Sequence, residues 1–187
     1  IALTPDKSLL LAVDVFSNKI YSIDVATFAV KATFTFNDAQ FGFGNNVVLS
    51  ADGKTGYIST ARFDPKFQLH ADGELIRFDV ADGKETGARV QLQRGSAAIA
   101  LSPDKTTRAV VNTVSESVSL VDPAAFNVRA TVALDAGANL IFANTVAFSA
   151  DSAVGIVGNQ GAAGQFLTAD VAYVFKTTTG EIVARPD

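Results

Sequence analysis

Four segments of this chain repeat one pattern at a nearly constant interval, and that repetition limits the fold more than any other feature. Residues 1–14 (IALTPDKSLLLAVD), 47–60 (VVLSADGKTGYIST), 99–112 (IALSPDKTTRAVVN) and 146–159 (VAFSADSAVGIVGN) share it. Each has alternating apolar residues, a Ser or Thr, then Pro or Ala, then Asp, a short polar turn and a second apolar run. The anchors Thr4, Ser50, Ser102 and Ser149 are 46, 52 and 47 residues apart. Ten residues after each anchor stands a polar residue: Asp14, Thr60, Asn112 and Asn159. A period of 40–50 residues marks a repeat architecture.

Within each repeat the period-2 alternation, rich in β-branched and aromatic residues, predicts four short strands. In the first repeat these are 1–4, 9–15, 19–25 and 29–36. Asp just after the anchor suits a tight turn, because its carboxylate accepts nearby backbone N–H groups. The third strand ends at Asp24, Asp79, Asp122 and Lys176. No segment carries a sustained helical period with caps, so the chain is expected to be all-β: a β-propeller with four four-stranded antiparallel blades. Blades are expected at about 1–45, 46–96, 97–144 and 145–187, in one domain.

The third repeat resembles the YVTN-type propeller repeat through Ser102, Pro103, Asp104, Asn112, Val118, Val121, Asp122, Val128, Ala130 and Thr131. The first matches nearly as well through Thr4, Pro5, Asp6, Ile23, Asp24, Val30, Ala32 and Thr33. Repeats two and four match in their first halves. The resemblance implies a scaffold shared by surface-layer and exported propellers and by lactonase-like or quinoprotein-like enzymes. A scaffold does not choose among those functions.

Composition removes several classes of chemistry. A formal net charge of −4 does not suit a phosphate backbone, which demands a basic footprint. With no Cys and a single His, thiolate chemistry, Cys-based zinc sites and His-rich metal sites are excluded. No apolar run approaches the ~18 residues of a membrane-spanning helix. The sequence implies no cofactor and no metal. The lack of Cys fits an extracytoplasmic protein, periplasmic or on the cell surface. No signal-peptide pattern opens the chain.

Insertions mark where function is expected. Repeats two and four are nine and seven residues longer than repeats one and three between anchor and third-strand end. The extra residues fall within 61–72 and 160–169, after the second strand. Two further long connections, 37–45 and 135–144, lead from one repeat into the next. Because strands alternate in direction, all four are expected on one face, with Asp6, Asp52, Asp104 and Asp151 on the other. Long loops on a rigid frame are where binding residues concentrate.

The candidate ligand or partner surface comprises Phe41, Phe43, Asn45, Arg62, His70, Asn112, Phe142, Asn144 and Asn159. The aromatic and amide groups suit a sugar, a peptide or a quinone-like ring. They equally suit plugs between blades and caps on loop backbone. His70, with Arg62, Asp64, Asp72 and Glu74 near it in sequence, offers an acid–base pair or a solvated loop. The row Asp14, Thr60, Asn112, Asn159 offers either ligand contacts or structural hydrogen bonds, and the recurring Asp residues read as turn formers. The leading expectation is a non-catalytic binding or structural module that takes a protein or small-molecule ligand. Its rival is a lactonase-like or quinoprotein-like enzyme completed by blades outside this chain. Four blades are read as part of a seven- or eight-bladed ring, and exposed apolar faces at its ends invite pairing of open blade faces.

Overall fold

The structure, a computed structural model, describes residues 1–36, 47–63, 69–134, 143–159 and 172–186, with backbone only at 62, 63, 69–71 and 159. Blade one contains β1 (Ala2–Leu3), β2 (Leu9–Asp14), β3 (Lys19–Asp24) and β4 (Val30–Thr35). Blade two follows with β5 (Val48–Leu49) and β6 (Thr55–Ser59), then a two-stranded hairpin of β7 (Arg62–Phe63) and β8 (Leu69–Ala71), then β9 (Glu74–Asp79) and β10 (Val90–Gln91). Blade three has β11 (Ser96–Leu101), β12 (Arg108–Asn112), β13 (Ser117–Asp122) and β14 (Asn127–Ala133). Blade four has β15 (Ala143–Phe148), β16 (Val154–Asn159), β17 (Tyr173–Lys176) and β18 (Ile182–Ala184). Each blade is a four-stranded antiparallel meander in chain order. The described residues contain no helix, so the all-β expectation holds.

The anchor residues build one turn four times. Thr4, Ser50, Ser102 and Ser149 each donate their hydroxyl to the Asp two residues on, at 2.6, 2.6, 2.6 and 2.5 Å. The same oxygens accept the backbone N–H of Leu9, Thr55, Thr107 and Val154. Each Asp carboxylate also accepts the N–H two residues beyond it. The residue between takes a positive φ: Lys7, Gly53, Lys105 and Ser152 at 60, 71, 64 and 62°. The recurring Asp residues therefore close turns.

Two elements depart from the sequence expectation. The insertion at 61–72, read as a loop, pairs Arg62 with Ala71 and Phe63 with Leu69 across β7 and β8. A long excursion out of a sheet must satisfy its own backbone groups, and a hairpin does so. The outer strand of blade two is broken: Phe78 bridges Glu85, and regular pairing resumes only at Val90. Arg77 accounts for the break, because its Nε donates to the Thr86 carbonyl. A Cβ on Gly87 would fall 2.3 Å from the Arg77 guanidinium.

Both faces of an inner blade must be covered, and three apolar seams do this. Leu11, Ile20, Phe34 and Phe36 of blade one pack with Ile58, Ile76 and Phe78 of blade two. Tyr57, Leu75, Val90 and Leu92 on the opposite face of blade two meet Ile99, Val110 and Val121 of blade three. Ala109, Val111, Leu120 and Leu134 then meet Val146, Val157, Tyr173 and Phe175 of blade four. Among the described residues no such core joins blade four to blade one. Each fully buried Leu, Ile or Phe contributes about 1.5–3 kcal/mol.

Polar links accompany the seams. Ser59 donates to the Ala97 carbonyl at 2.7 Å, and Thr113 to that of Ala143 at 2.6 Å. At the turn end, the Asp104 N–H donates to Ser152 Oγ, and Arg129 donates to the Thr177 carbonyl.

The turn carboxyls predict an acid response. Their anchor hydroxyls, then backbone N–H groups, hold Asp52, Asp104 and Asp151 below the usual carboxylate value. Asp24 is held at about 2, chiefly by Lys31 and then Thr27. Depressed values in the folded state mean that this stabilisation is full above the unfolded value of 3.8 and is lost as pH falls through the folded values. The melting temperature is expected to be flat from about pH 7 to 5 and to fall steadily below about pH 4. Asp104→Asn should flatten that fall, and an unchanged acid limb in this variant would contradict the assignment.

Candidate functional site

Strand alternation gives the blades two unlike ends. The β1–β2 and β3–β4 turns and their counterparts lie at one end. The β2–β3 connections and the blade-to-blade crossings lie at the other. The strand ends that flank residues 37–46, 64–68, 135–142 and 160–171 all belong to this second end.

Asn112 closes β12 there and is fully buried. Its amide hydrogens go to Ser117 Oγ at 3.1 Å and Ser119 Oγ at 2.9 Å. Its carbonyl oxygen accepts from Ser96 Oγ at 3.0 Å. Ser117 in turn donates to the Gln93 side chain. Asn112 thus ties β11, β12 and β13 together and joins them to the tail of blade two. Gly73 completes the wall, since a Cβ there would lie 2.3 Å from the Thr60 carbonyl and 2.5 Å from Ser96 Oγ.

The other members of the row behave individually. Asp14 caps its turn, accepting from the Phe16 N–H at 3.0 Å and the Ser17 hydroxyl at 2.6 Å. The Ser17 hydroxyl is the leading cause that holds the Asp14 carboxyl below its usual value. Thr60 Oγ1 accepts the Glu74 N–H at 3.0 Å. Asn159 ends β16 and pairs with Ala143 in register. Asn144 is half-buried on β15.

Arg62 and His70 lie on β7 and β8 of the inserted hairpin, so their backbones share that end. Their side chains, and all of Phe41, Phe43, Asn45 and Phe142, lie outside the described residues. Among the described residues, no group of three or more His, Asp or Glu side chains is placed to hold a metal.

At the opposite end an open groove of about 510 Å³ runs along the seam between blades one and two. Pro5, Leu9, Val80 and Ala81 line it with Asp6 and Asp52. Both carboxylates are engaged in their turns.

One charged residue escaped the sequence reading. Arg108 opens β12 and is only 3% exposed, inside the seam between blades two and three. Its guanidinium carbon lies 3.5 Å from the Tyr57 ring centroid. Nε and Nη1 have no hydrogen-bond partner. Burial pushes its pKa down, opposed first by Tyr57; nearby Arg77 also lowers it and Asp122 raises it. Phe126 extends the stack, with its ring centroid 6.1 Å from that of Tyr57 and 4.5 Å from the Arg77 guanidinium carbon. The signal for Arg108 was positional. Leu10, Gly56 and Gly155 occupy the same place in the other repeats, and Phe78 and Phe175 rings fill the space over the two glycines.

Hydrazine synthase of Kuenenia stuttgartiensis superposes on this chain with a TM-score of 0.74 at 14% identity, over 98% of this chain and 47% of its own. Dihydro-heme d1 dehydrogenase NirN, solved in complex with DHE, superposes with a TM-score of 0.67 at 13% identity, over 98% of this chain and 36% of its own. Both proteins contain a β-propeller. The fold is that of a β-propeller. This chain spans about half and about a third of those two, and likeness at such identities shows the fold alone. No family model matches the chain, and no curated protein matches it.

The buried stack yields a test by substitution. Exchanging buried charged groups for well-packed apolar side chains of similar volume is often neutral or stabilising by about 1–4 kcal/mol. Arg108→Leu, the residue blade one carries there, should therefore leave stability in urea unchanged or raise it. Asn112→Ala should cost about 2–3 kcal/mol, because it strands buried hydroxyls. A large loss in Arg108→Leu would show that the cation holds the seam.

Proposed function

We propose that this chain is a non-catalytic propeller module of the YVTN-type repeat class, which binds a ligand or partner at the end bearing the long connections. One contrast carries the reading. The turn end repeats a single hydrogen-bonded device four times, whereas the opposite end differs from blade to blade in connection length and adds the β7–β8 hairpin. A rigid frame with one variable end is the usual way a scaffold carries recognition. The buried Asn112 network supports the frame at that end, and Arg62 and His70 belong to the hairpin inserted there. Export to the periplasm or cell surface is part of the proposal, supported by the absence of Cys.

The test uses immobilised oligosaccharides and peptides together with soluble menadione as a quinone probe. Binding of one of these classes is expected, and it should be lost when residues 64–68 are replaced by Gly-Gly and retained in Lys54→Glu at the turn end. Binding that survives the loop replacement but fails in Lys54→Glu would place recognition at the wrong end. Turnover of a lactone by the purified chain would replace the reading with an enzymatic one. Cell fractionation of the native protein checks the compartment, and a purely cytoplasmic pool would remove export from the proposal.

A further inference from the structure

The seam between blades one and two and the seam between blades three and four are built in one register. Within blades two and four, Val80 and Thr177 each donate their N–H to a turn carbonyl, that of Lys54 at 2.8 Å and that of Ala153 at 3.1 Å. Gly83 and Gly180 follow with an N–H on the Asp79 and Lys176 carbonyls, at 2.8 Å in both. A Cβ on either glycine would meet the blade before it, at the Phe34 ring and at Val132. In this register Leu9, Lys31, Gly53 and Val80 of the first seam stand where Thr107, Arg129, Ser152 and Thr177 stand in the other.

Those four positions carry a polar link in the seam between blades three and four. Arg129 reaches out of blade three through Nη2, donating to Thr107 Oγ1 at 2.7 Å and to the Thr177 carbonyl of blade four at 2.5 Å. The Asp104 N–H crosses to Ser152 Oγ at 2.9 Å, and the Thr177 hydroxyl donates to the Ser152 carbonyl at 2.6 Å. The seam between blades one and two has lost this link as a set. Leu9, Gly53 and Val80 offer no hydroxyl. Lys31 stands at the place of Arg129, but its ammonium is 3.1 Å from Asp24 on its own blade. The open groove at the turn end lies where the link would be. The Val80 carbonyl, counterpart of the one that receives Arg129, accepts no hydrogen bond from a described residue, although Val80 is only 6% exposed.

The groove also has the charge that a cation calls for. Asp6, Asp52 and Asp79 line it, against Lys54. The hydrogen bonds these carboxylates accept come from hydroxyl and backbone N–H groups, which leave their charge in place. In the other seam the place of Asp79 is held by Lys176, itself paired with Glu181 at 2.7 Å. The apolar flanks of the groove suit the methylene stem of a long cationic side chain. A guanidinium presents its donors in one plane, so a single group can serve a carbonyl and a carboxylate together.

We propose that this groove binds the arginine side chain of a partner protein, with the guanidinium placed as Arg129 is placed between blades three and four. The site lies at the end opposite the long connections and does not rest on the ligand surface proposed there.

The probe is Nα-acetyl-arginine-methylamide, with its lysine counterpart as the control, titrated into isotope-labelled chain and followed by amide NMR. The arginine probe should shift the Gly53, Lys54 and Val80 signals, and the lysine probe at the same concentration should shift them far less. Asp79→Asn should weaken binding about threefold and Lys54→Glu should tighten it about threefold, the size of one exposed charge contact. Both side chains are exposed, and an unchanged far-UV spectrum would show that each variant folds. Replacing residues 64–68 by Gly-Gly should leave this binding as it is, which separates it from recognition at the other end. Absence of any shift would overturn the proposal. So would equal shifts with the two probes, shifts confined to the end of the long connections, or affinities that move in the same direction in Asp79→Asn and Lys54→Glu.

Discussion

Burial of two faces at once is the constraint on which this molecule rests. A four-stranded sheet with apolar side chains on both sides cannot be stable alone in water, and each blade here borrows its cover from the next. Hydrogen bonding within a blade fixes the strands, but it does not decide how blades stack. That is settled by side chains such as Phe78 and Phe175, which occupy space left by Gly56 and Gly155 in the adjoining strand. Large and small residues trade places from blade to blade. The seams keep a common geometry while their chemistry differs.

The frame was legible in the sequence because it is written four times. Thr4, Ser50, Ser102 and Ser149 do identical work, and a device repeated in register stands out against a variable background. The ends of the third strands at Asp24, Asp79, Asp122 and Lys176 could be read for the same reason. What was not legible occurs once. The β7–β8 hairpin lies in an insertion without a counterpart, and its two- and three-residue strands carry no measurable alternation. Arg77 breaks the outer strand of blade two by reaching the Thr86 carbonyl, a contact between residues nine apart that no period reveals.

The candidate site was legible in position but not in role. Sequence spacing placed Asn112 at the variable end, and it lies there. The same spacing could not show that its amide would be spent on Ser96, Ser117 and Ser119, because that depends on three strands meeting. Arg108 is the opposite case. Its position in an apolar run was plain, yet only the structure shows the Tyr57 ring beneath it. Both residues sit in or beside the seam between blades two and three.

The unequal cover of the blades has a consequence for how the chain comes apart. Every described residue of β12 and all but the last of β13 are buried, whereas β2 buries only Leu11 among its six. In a linear stack, local opening is governed by nearest-neighbour contacts. Amide protons of β12 and β13 should therefore exchange through rarer openings than those of β2, so that blade one and blade three open as separate cooperative units.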